Sequence, residues 1–180
     1  MIEGERTPYA FSGFFSPYRY VYYQLTKKQC MGFIPCGVTG VVSLRGKIIL
    51  ARRSKQVIGN AGLFEFAPSG TLEKGLEGEE KAAVDCEGIL LKELKEELGV
   101  PQDAVVSSRP LCLALDLADN VLDVIYWVVL KDSVELRIGS EHTECLMISL
   151  KELGKLIVQR PNQFTSQVKF IVRRNVWSVQ

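Results

Sequence analysis

The feature that most constrains this chain is a repeat of leucines that ends at a glycine. Leu90, Leu94 and Leu98 recur every four residues, which predicts a helix with an apolar stripe packed on a core. Gly99 follows the last leucine, as is typical at the end of a helix. We therefore predict a helix over about residues 80–98.

The same stretch carries three carboxylates. Glu93, Glu96 and Glu97 fall within about 100° of arc on a helix, beside the leucine stripe. They repel one another, and a divalent cation that prefers hard oxygen ligands, Mg²⁺ or Mn²⁺, would relieve that repulsion. The alternative is a solvated acidic face that pairs along the helix with Lys92 and Lys95. The helix by itself leaves both interpretations open.

Short β-rich runs surround this helix, and two more helices follow them. The predicted strands cover about 38–43, 47–51, 63–66, 111–117 and 121–130. Ser149 and Glu152 form the pattern of a capping box, which predicts a helix from about Leu150 to Val158. A last helix is expected over 163–172. Strands that alternate with helices in this order indicate an α/β fold with helices packed on a sheet.

Composition indicates one ordinary globular domain. The chain has 180 residues, 47% of them apolar and 24% charged, with a net charge of +1. No apolar run approaches the roughly 20 residues of a membrane span, and the acidic N-terminus does not resemble a secretory signal. The near-zero net charge gives no sign of a nucleic-acid partner. Five cysteines without a C-x-x-C pair favour a reducing compartment, so we expect a cytoplasmic protein.

The first 32 residues differ from the rest of the chain. Five of the six tyrosines lie within the first 23 positions, and the run from Tyr20 to Tyr23 predicts a strand. We therefore divide the chain into an aromatic extension, 1–32, and a domain, 33–180. The extension packs either on its own domain or on a second subunit. Its tyrosines have the profile of interface residues, and we expect a homodimer.

The acidic helix lies in a run that resembles a known signature. Lys92-Glu93-Leu94-Lys95-Glu96-Glu97-Leu98-Gly99-Val100 is similar to the second half of the signature of the Nudix hydrolases, in which Arg occupies the first position. The preceding run, residues 62–70 (GLFEFAPSG), is similar to the region that leads into that signature. The resemblance covers about residues 35–175. It implies a Nudix-type α/β/α sandwich with a mixed β-sheet.

The first half of the signature departs from the family. Gly70 matches the leading glycine, but its spacing to Gly99 is eight residues longer than usual. The first signature glutamate, which usually orients the Arg, then corresponds loosely to Glu77. Lys92 replaces that Arg and cannot form the same bidentate fork.

The resemblance implies hydrolysis of the diphosphate in a nucleoside diphosphate linked to a moiety X, such as a sugar or a ribose derivative. Glu93, Glu96 and Glu97 would hold Mg²⁺, with Mn²⁺ as a substitute. A glutamate in a loop before a late strand, here Glu141 with Glu144 in reserve, or a motif glutamate such as Glu96, would take the proton from water. A surface loop with two acids is the other interpretation of residues 141–144.

Substrate contacts follow from the same resemblance. Arg52 and Arg53 leave the predicted hairpin near the expected position of the diphosphate. Side chains alternate along a strand, so only one can enter the cleft, and we expect that one to be Arg52. Gly70 is the second expected substrate contact. His142 is the only histidine, and a lone loop histidine is more often a bystander than a catalyst.

Two other functions stay open. A Nudix-like nucleotide-binding module would keep the fold and lose turnover, as the replacement at Lys92 and the longer spacing suggest. The three retained glutamates speak against it. An isomerase on the same fold is a weaker third hypothesis. The sequence does not disclose X or the base.

Overall fold

The computed structural model describes residues 13–14, 16–27, 31–72, 84–117 and 119–175. These residues form four α-helices and seven β-strands. The elements are α1 (Tyr18–Lys27), β1 (Cys36–Leu44), β2 (Lys47–Arg53), β3 (Phe64–Phe66), β4 (Ser69–Thr71), α2 (Cys86–Leu98), β5 (Val105–Asp116), β6 (Val121–Leu130), β7 (His142–Ile148), α3 (Leu150–Gln159) and α4 (Ser166–Arg174). Within this part of the chain, no helix has the length and apolar character needed to cross a bilayer.

The strands form one mixed sheet. Its main path is β3-β2-β1-β6-β5, with β4 paired to β1 and β7 paired to β2. β1 and β6 run parallel, whereas the other pairs of strands are antiparallel. The predicted α/β class with a mixed sheet is therefore confirmed.

Helices cover both faces of the sheet, as the sandwich prediction requires. The leucine stripe of α2, Leu90, Leu94 and Leu98, is fully buried on one face. α3 and α4 pack on the other face through buried side chains such as Leu153 and Val168. Alternation along β2 divides its side chains between the two layers: those at 49 and 51 face α2, and those at 48 and 50 face α3 and α4.

Helix α2 begins later than the sequence predicts. It starts at Cys86, because the Asp85 side chain caps it by accepting a hydrogen bond from the Gly88 N–H. It ends at Gly99, which has φ +67°, as the sequence predicts. Residues 73–83, which include Glu77 and most of the added length, lie outside the described residues.

Strand β5 is longer than predicted. It begins at Val105 and passes through Pro110, where the register shifts. The predicted strand begins at Leu111, directly after this proline, a residue that normally argues against a central strand. β5 is an edge strand, so the missing N–H of Pro110 costs no central ladder hydrogen bond.

The strand predicted for Tyr20–Tyr23 is wrong, because these residues lie in helix α1. Val21 and Gln24, three positions apart, face inward and are buried. The Gln24 side chain donates to the Asn120 carbonyl between β5 and β6, at 3.5 Å, and accepts from the Met31 N–H. Tertiary contacts thus override the β-propensity of the tyrosines. The division of the chain at residue 32 stays a prediction.

The leucine stripe gives a direct test of the core. We expect Leu94→Ala to lower the free energy of unfolding by about 2–5 kcal/mol, because it removes a fully buried side chain and leaves a cavity. Leu117→Ala is the matched control, since Leu117 is 82% exposed and its truncation should cost less than about 0.5 kcal/mol. Urea unfolding followed by circular dichroism measures both. Equal costs for the two variants would contradict the placement of α2.

Candidate active site

Four acidic side chains from three parts of the chain meet on the α2 face of the sheet. Helix α2 contributes Glu93 and Glu97, and β3 contributes Glu65. The loop before β7 contributes Glu141. The charges of Glu65, Glu93 and Glu141 all raise the pKa of Glu97, which places the four carboxylates close together.

Glu97 is the buried centre of this group, with only 5% of its surface exposed. Its Oε1 accepts a hydrogen bond from the Ser69 N–H at 3.1 Å, whereas its Oε2 has no hydrogen-bond partner among the described residues. Burial raises the pKa of Glu97 to about 8, and the neighbouring carboxylates add to the effect of burial against the opposing hydrogen bond. A nearby cation would stabilise the ionised form of this buried carboxylate.

The loop before β7 lies directly against the end of α2. The Gly139 N–H donates to the Glu97 carbonyl at 2.7 Å, and the Arg137 N–H donates to the Leu98 carbonyl at 2.9 Å. These bonds satisfy carbonyls that a helix end leaves without partners. A Cβ at Gly139 would lie 2.7 Å from the Glu96 carbonyl oxygen, so glycine permits this approach. The contact brings the following residues of the loop beside Glu97.

Strand β4 approaches α2 from another side. A Cβ at Gly70 would lie 2.6 Å from Glu93 Cγ, so the Glu93 side chain lies against the Gly70 backbone. This close approach explains why a glycine is needed there. The substrate contact expected at Gly70 stays a prediction, and the structure places this residue at the acidic cluster.

Three side chains that the sequence-based site did not include form a buried chain of contacts. Arg53 Nη1 donates to Glu65 Oε1 at 2.8 Å. The same oxygen lies 3.0 Å from His142 Nε2, and His142 Nδ1 lies 3.7 Å from Glu97 Oε2. Glu65 and His142 are both buried.

Strand alternation is the signal that could have found Glu65. It lies between Phe64 and Phe66, which face α3 and α4, so its side chain faces α2. His142 was harder to find, because the sequence predicts a loop over residues 141–144, before a late strand. In the structure β7 begins at His142, which pairs with Arg53 on β2.

The two arginines at the end of β2 separate as alternation requires. The Arg52 guanidinium lies 4.2 Å from the Phe64 ring centroid, donates to the Gly62 carbonyl at 3.0 Å and pairs with Glu144. Arg53 is the one that contacts the acidic cluster. The role expected of Arg52 stays a prediction.

Glu96 lies on an exposed part of α2. It is not among the carboxylates that raise the pKa of Glu97. Lys92 is also exposed. Glu141 is exposed at the rim, and its carbonyl accepts a hydrogen bond from the Ser54 N–H at 2.7 Å. The catalytic and metal-binding roles assigned to Glu96 and Glu141 stay predictions.

The donor set fits a divalent cation in its chemistry. Carboxylate oxygens are the ligands that Mg²⁺ prefers, and the buried Oε2 of Glu97 lacks a hydrogen-bond partner in the described part of the chain. Over the same residues, no three His, Cys, Asp or Glu side chains are arranged to hold a metal ion. The fit therefore lies in the chemistry of the donor oxygens.

The raised pKa of Glu97 predicts how the metal-free protein responds to pH. Above about pH 4.5 the unfolded chain ionises this group, whereas the folded protein keeps it protonated up to about pH 8. The free energy of unfolding should therefore fall as pH rises between these values. Glu97→Gln should flatten the fall and be more stable than the parent at pH 9.

Urea unfolding in chelator across this range measures the difference between the two proteins. Burial also raises the pKa of Asp123, to about 6, but this contribution is common to both. Parallel curves for parent and variant would contradict the burial of Glu97.

Comparison with known proteins gives similarity in structure only. No protein-family model and no curated protein matches the sequence. A MutT protein from Methanosarcina mazei Go1 is 15% identical with a TM-score of 0.61, over 81% of this chain and 95% of that one. A Nudix hydrolase from Alicyclobacillus acidocaldarius is 14% identical with a TM-score of 0.60, over 82% and 93%. A C. elegans Ap4A hydrolase is 13% identical with a TM-score of 0.54, over 79% and 95%. The chain therefore has the fold of the Nudix hydrolases.

Proposed function

We propose that this protein is a Mg²⁺-dependent hydrolase that cleaves the diphosphate of a nucleoside diphosphate linked to another moiety, X. The observation that carries the proposal is the Glu97 carboxylate, buried with one oxygen unpartnered among the described residues and set among three other carboxylates. A bound cation would stabilise the ionised form of this group. The chain also shares its fold with structural neighbours that include an Ap4A hydrolase.

Glu93, Glu96 and Glu97 are proposed to hold Mg²⁺, or Mn²⁺ in its place. When bound, the cation neutralises the diphosphate and makes a bound water more acidic. Glu93 and Glu97 face the cluster, and Glu96 would contribute from the exposed side of the helix. The carboxylates then ionise together, because the cation offsets their repulsion.

Glu141 is proposed as the group that takes the proton from the attacking water. Its position at the exposed rim leaves it accessible to substrate, and the bond from Ser54 to its carbonyl holds the loop against the end of β2. Glu96 is the alternative base. Arg52 and Gly70 are proposed to contact the diphosphate, with Arg53 as the arginine that already lies at the cluster.

A nucleotide-binding module without turnover is the second candidate. The observation that favours it is the raised pKa of Glu97, which keeps this group protonated at neutral pH when no cation is present. Lys92 also occupies the position of the family's Arg, and a lysine ammonium cannot form the bidentate fork that an arginine forms with a carboxylate. The module would bind nucleotide and release no product.

A substrate panel tests the proposal. Nucleoside diphosphate derivatives are incubated with Mg²⁺ or Mn²⁺, and newly exposed phosphate is released by a phosphatase and measured. We expect Glu97→Gln to lower the rate at least about 100-fold, because it removes a charge that stabilises the transition state through the cation. Glu87→Gln, on an exposed part of the same helix, is the matched control and should keep full activity.

Two outcomes separate the candidates. Hydrolysis that Glu97→Gln leaves unchanged would remove the metal assignment. Nucleotide binding in calorimetry without product from any compound would favour the binding module.

A homodimer is proposed through the outer face of α1. Tyr18 and Tyr22, one helical turn apart, are 60% and 47% exposed, whereas Val21 and Gln24 face the domain. Large aromatic side chains of this kind are enriched at interfaces. We expect sedimentation to show a dimer at micromolar concentration. Tyr18→Ser combined with Tyr22→Ser should weaken it about tenfold or more.

Phe170→Ser on α4 is the control, since Phe170 is similarly exposed but lies on a different helix. A full-length protein that sediments as a monomer would exclude the dimer. A dimer that the tyrosine variant leaves intact would place the interface elsewhere.

A further inference from the structure

One histidine is buried between two acidic side chains of the candidate site. His142 is 6% exposed, at the first position of β7. Its Nε2 lies 3.0 Å from Glu65 Oε1, and its Nδ1 lies 3.7 Å from Glu97 Oε2. The ring therefore connects a carboxylate of the sheet with the central carboxylate of α2.

The side of the ring that faces the sheet is firmly held. Glu65 Oε1 also accepts from Arg53 Nη1 at 2.8 Å. The remaining guanidinium nitrogens of Arg53 donate to the carbonyls of Ile58 and Gly59, at 3.2 and 3.1 Å. The His142 N–H donates to the Gly139 carbonyl. Backbone carbonyls thus hold Arg53 at one end of this chain of contacts and His142 at the other.

The side of the ring that faces α2 lies against Glu97. His142 Nδ1 and Glu97 Oε2 are both buried, and neither has a hydrogen-bond partner among the residues that the structure describes. A buried polar group without a hydrogen-bond partner lowers the stability of the folded protein, so the contact between this nitrogen and this oxygen affects both side chains. The other oxygen of Glu97 is already taken by the Ser69 N–H. The orientation of the free oxygen therefore depends on the histidine.

We propose that His142 is a positioning residue, which holds the Glu97 carboxylate in the orientation that receives the cation. The inference rests on the proposed function, because it needs a cation at Glu97. His142 acts through Glu97 and contacts neither the cation nor the substrate. Partners that orient a metal ligand in this way typically account for a 10- to 100-fold change in metal affinity.

Two substitutions separate the two contacts of the ring. His142→Asn places an amide nitrogen near the position of Nδ1, so the contact with Glu97 survives and that with Glu65 is lost. His142→Gln places its amide nitrogen near the position of Nε2 and does the reverse. We expect His142→Gln to weaken Mn²⁺ binding roughly 10- to 100-fold. His142→Asn should stay within about threefold of the parent.

The measurement is Mn²⁺ binding to the full chain without substrate, by calorimetry and by the loss of the free-ion electron paramagnetic resonance signal. Unfolding in urea and chelator is measured in parallel, since a merely structural role would move stability in both variants and leave their metal affinities equal. His142→Leu is a further variant in case His142→Gln does not fold. It keeps a buried side chain of similar size, removes the nitrogen that faces Glu97, and should weaken Mn²⁺ binding about tenfold or more.

The outcomes distinguish the inference from the function on which it rests. No Mn²⁺ binding by the parent would overturn the proposed metal site, and the inference with it. A second outcome is that the parent binds Mn²⁺ while His142→Gln and His142→Asn bind it with equal affinity, whether retained or reduced. That result would overturn the positioning role and leave the proposed function standing. Selective loss in His142→Gln, with retention in His142→Asn, would support it.

Discussion

The site depends on the burial of one carboxylate, because everything around Glu97 either places it or offsets the cost of placing it. The leucines of α2 pack that helix against the sheet. Glu97 lies between Leu94 and Leu98 in the sequence and is buried with them. A buried acid without compensation gives up its charge. Here the compensation is incomplete: one backbone N–H bonds to it and three carboxylates oppose it, so the group has a strongly raised pKa. The fold thus brings together a set of charges that a cation would stabilise.

Local patterns made the frame predictable. The leucine spacing, the glycine stop and the capping box of α3 each arise within a few residues, and each appears in the structure. The errors occurred where distant contacts decide. Pro110 fits β5 only because that strand is at the edge, and α1 is a helix because Val21 and Gln24 have partners across the chain.

The same limit explains what sequence reasoning missed in the site. The glutamates of α2 were visible because helix geometry alone puts them together. Glu65 and His142 join them only through the pairing of β2 with both β3 and β7, which brings three distant segments side by side. Arg53 joins them because side chains alternate along β2, and alternation by itself does not say which face is the functional one. The register of the strands, and the sheet face on which each of these side chains lies, are fixed only in the folded sheet.

Close approach of backbones, and not sequence spacing, fixes the geometry around α2. Gly70 admits Glu93 on one side, and Gly139 admits the carbonyl of Glu96 on another. Each glycine is held by its own strand or loop, independently of the connection between Thr71 and Cys86. Lengthening such a connection costs little, since doubling a loop adds only about 0.6 kcal/mol of closure entropy. The longer spacing between Gly70 and Gly99 is therefore compatible with an intact arrangement of Glu93 and Glu97.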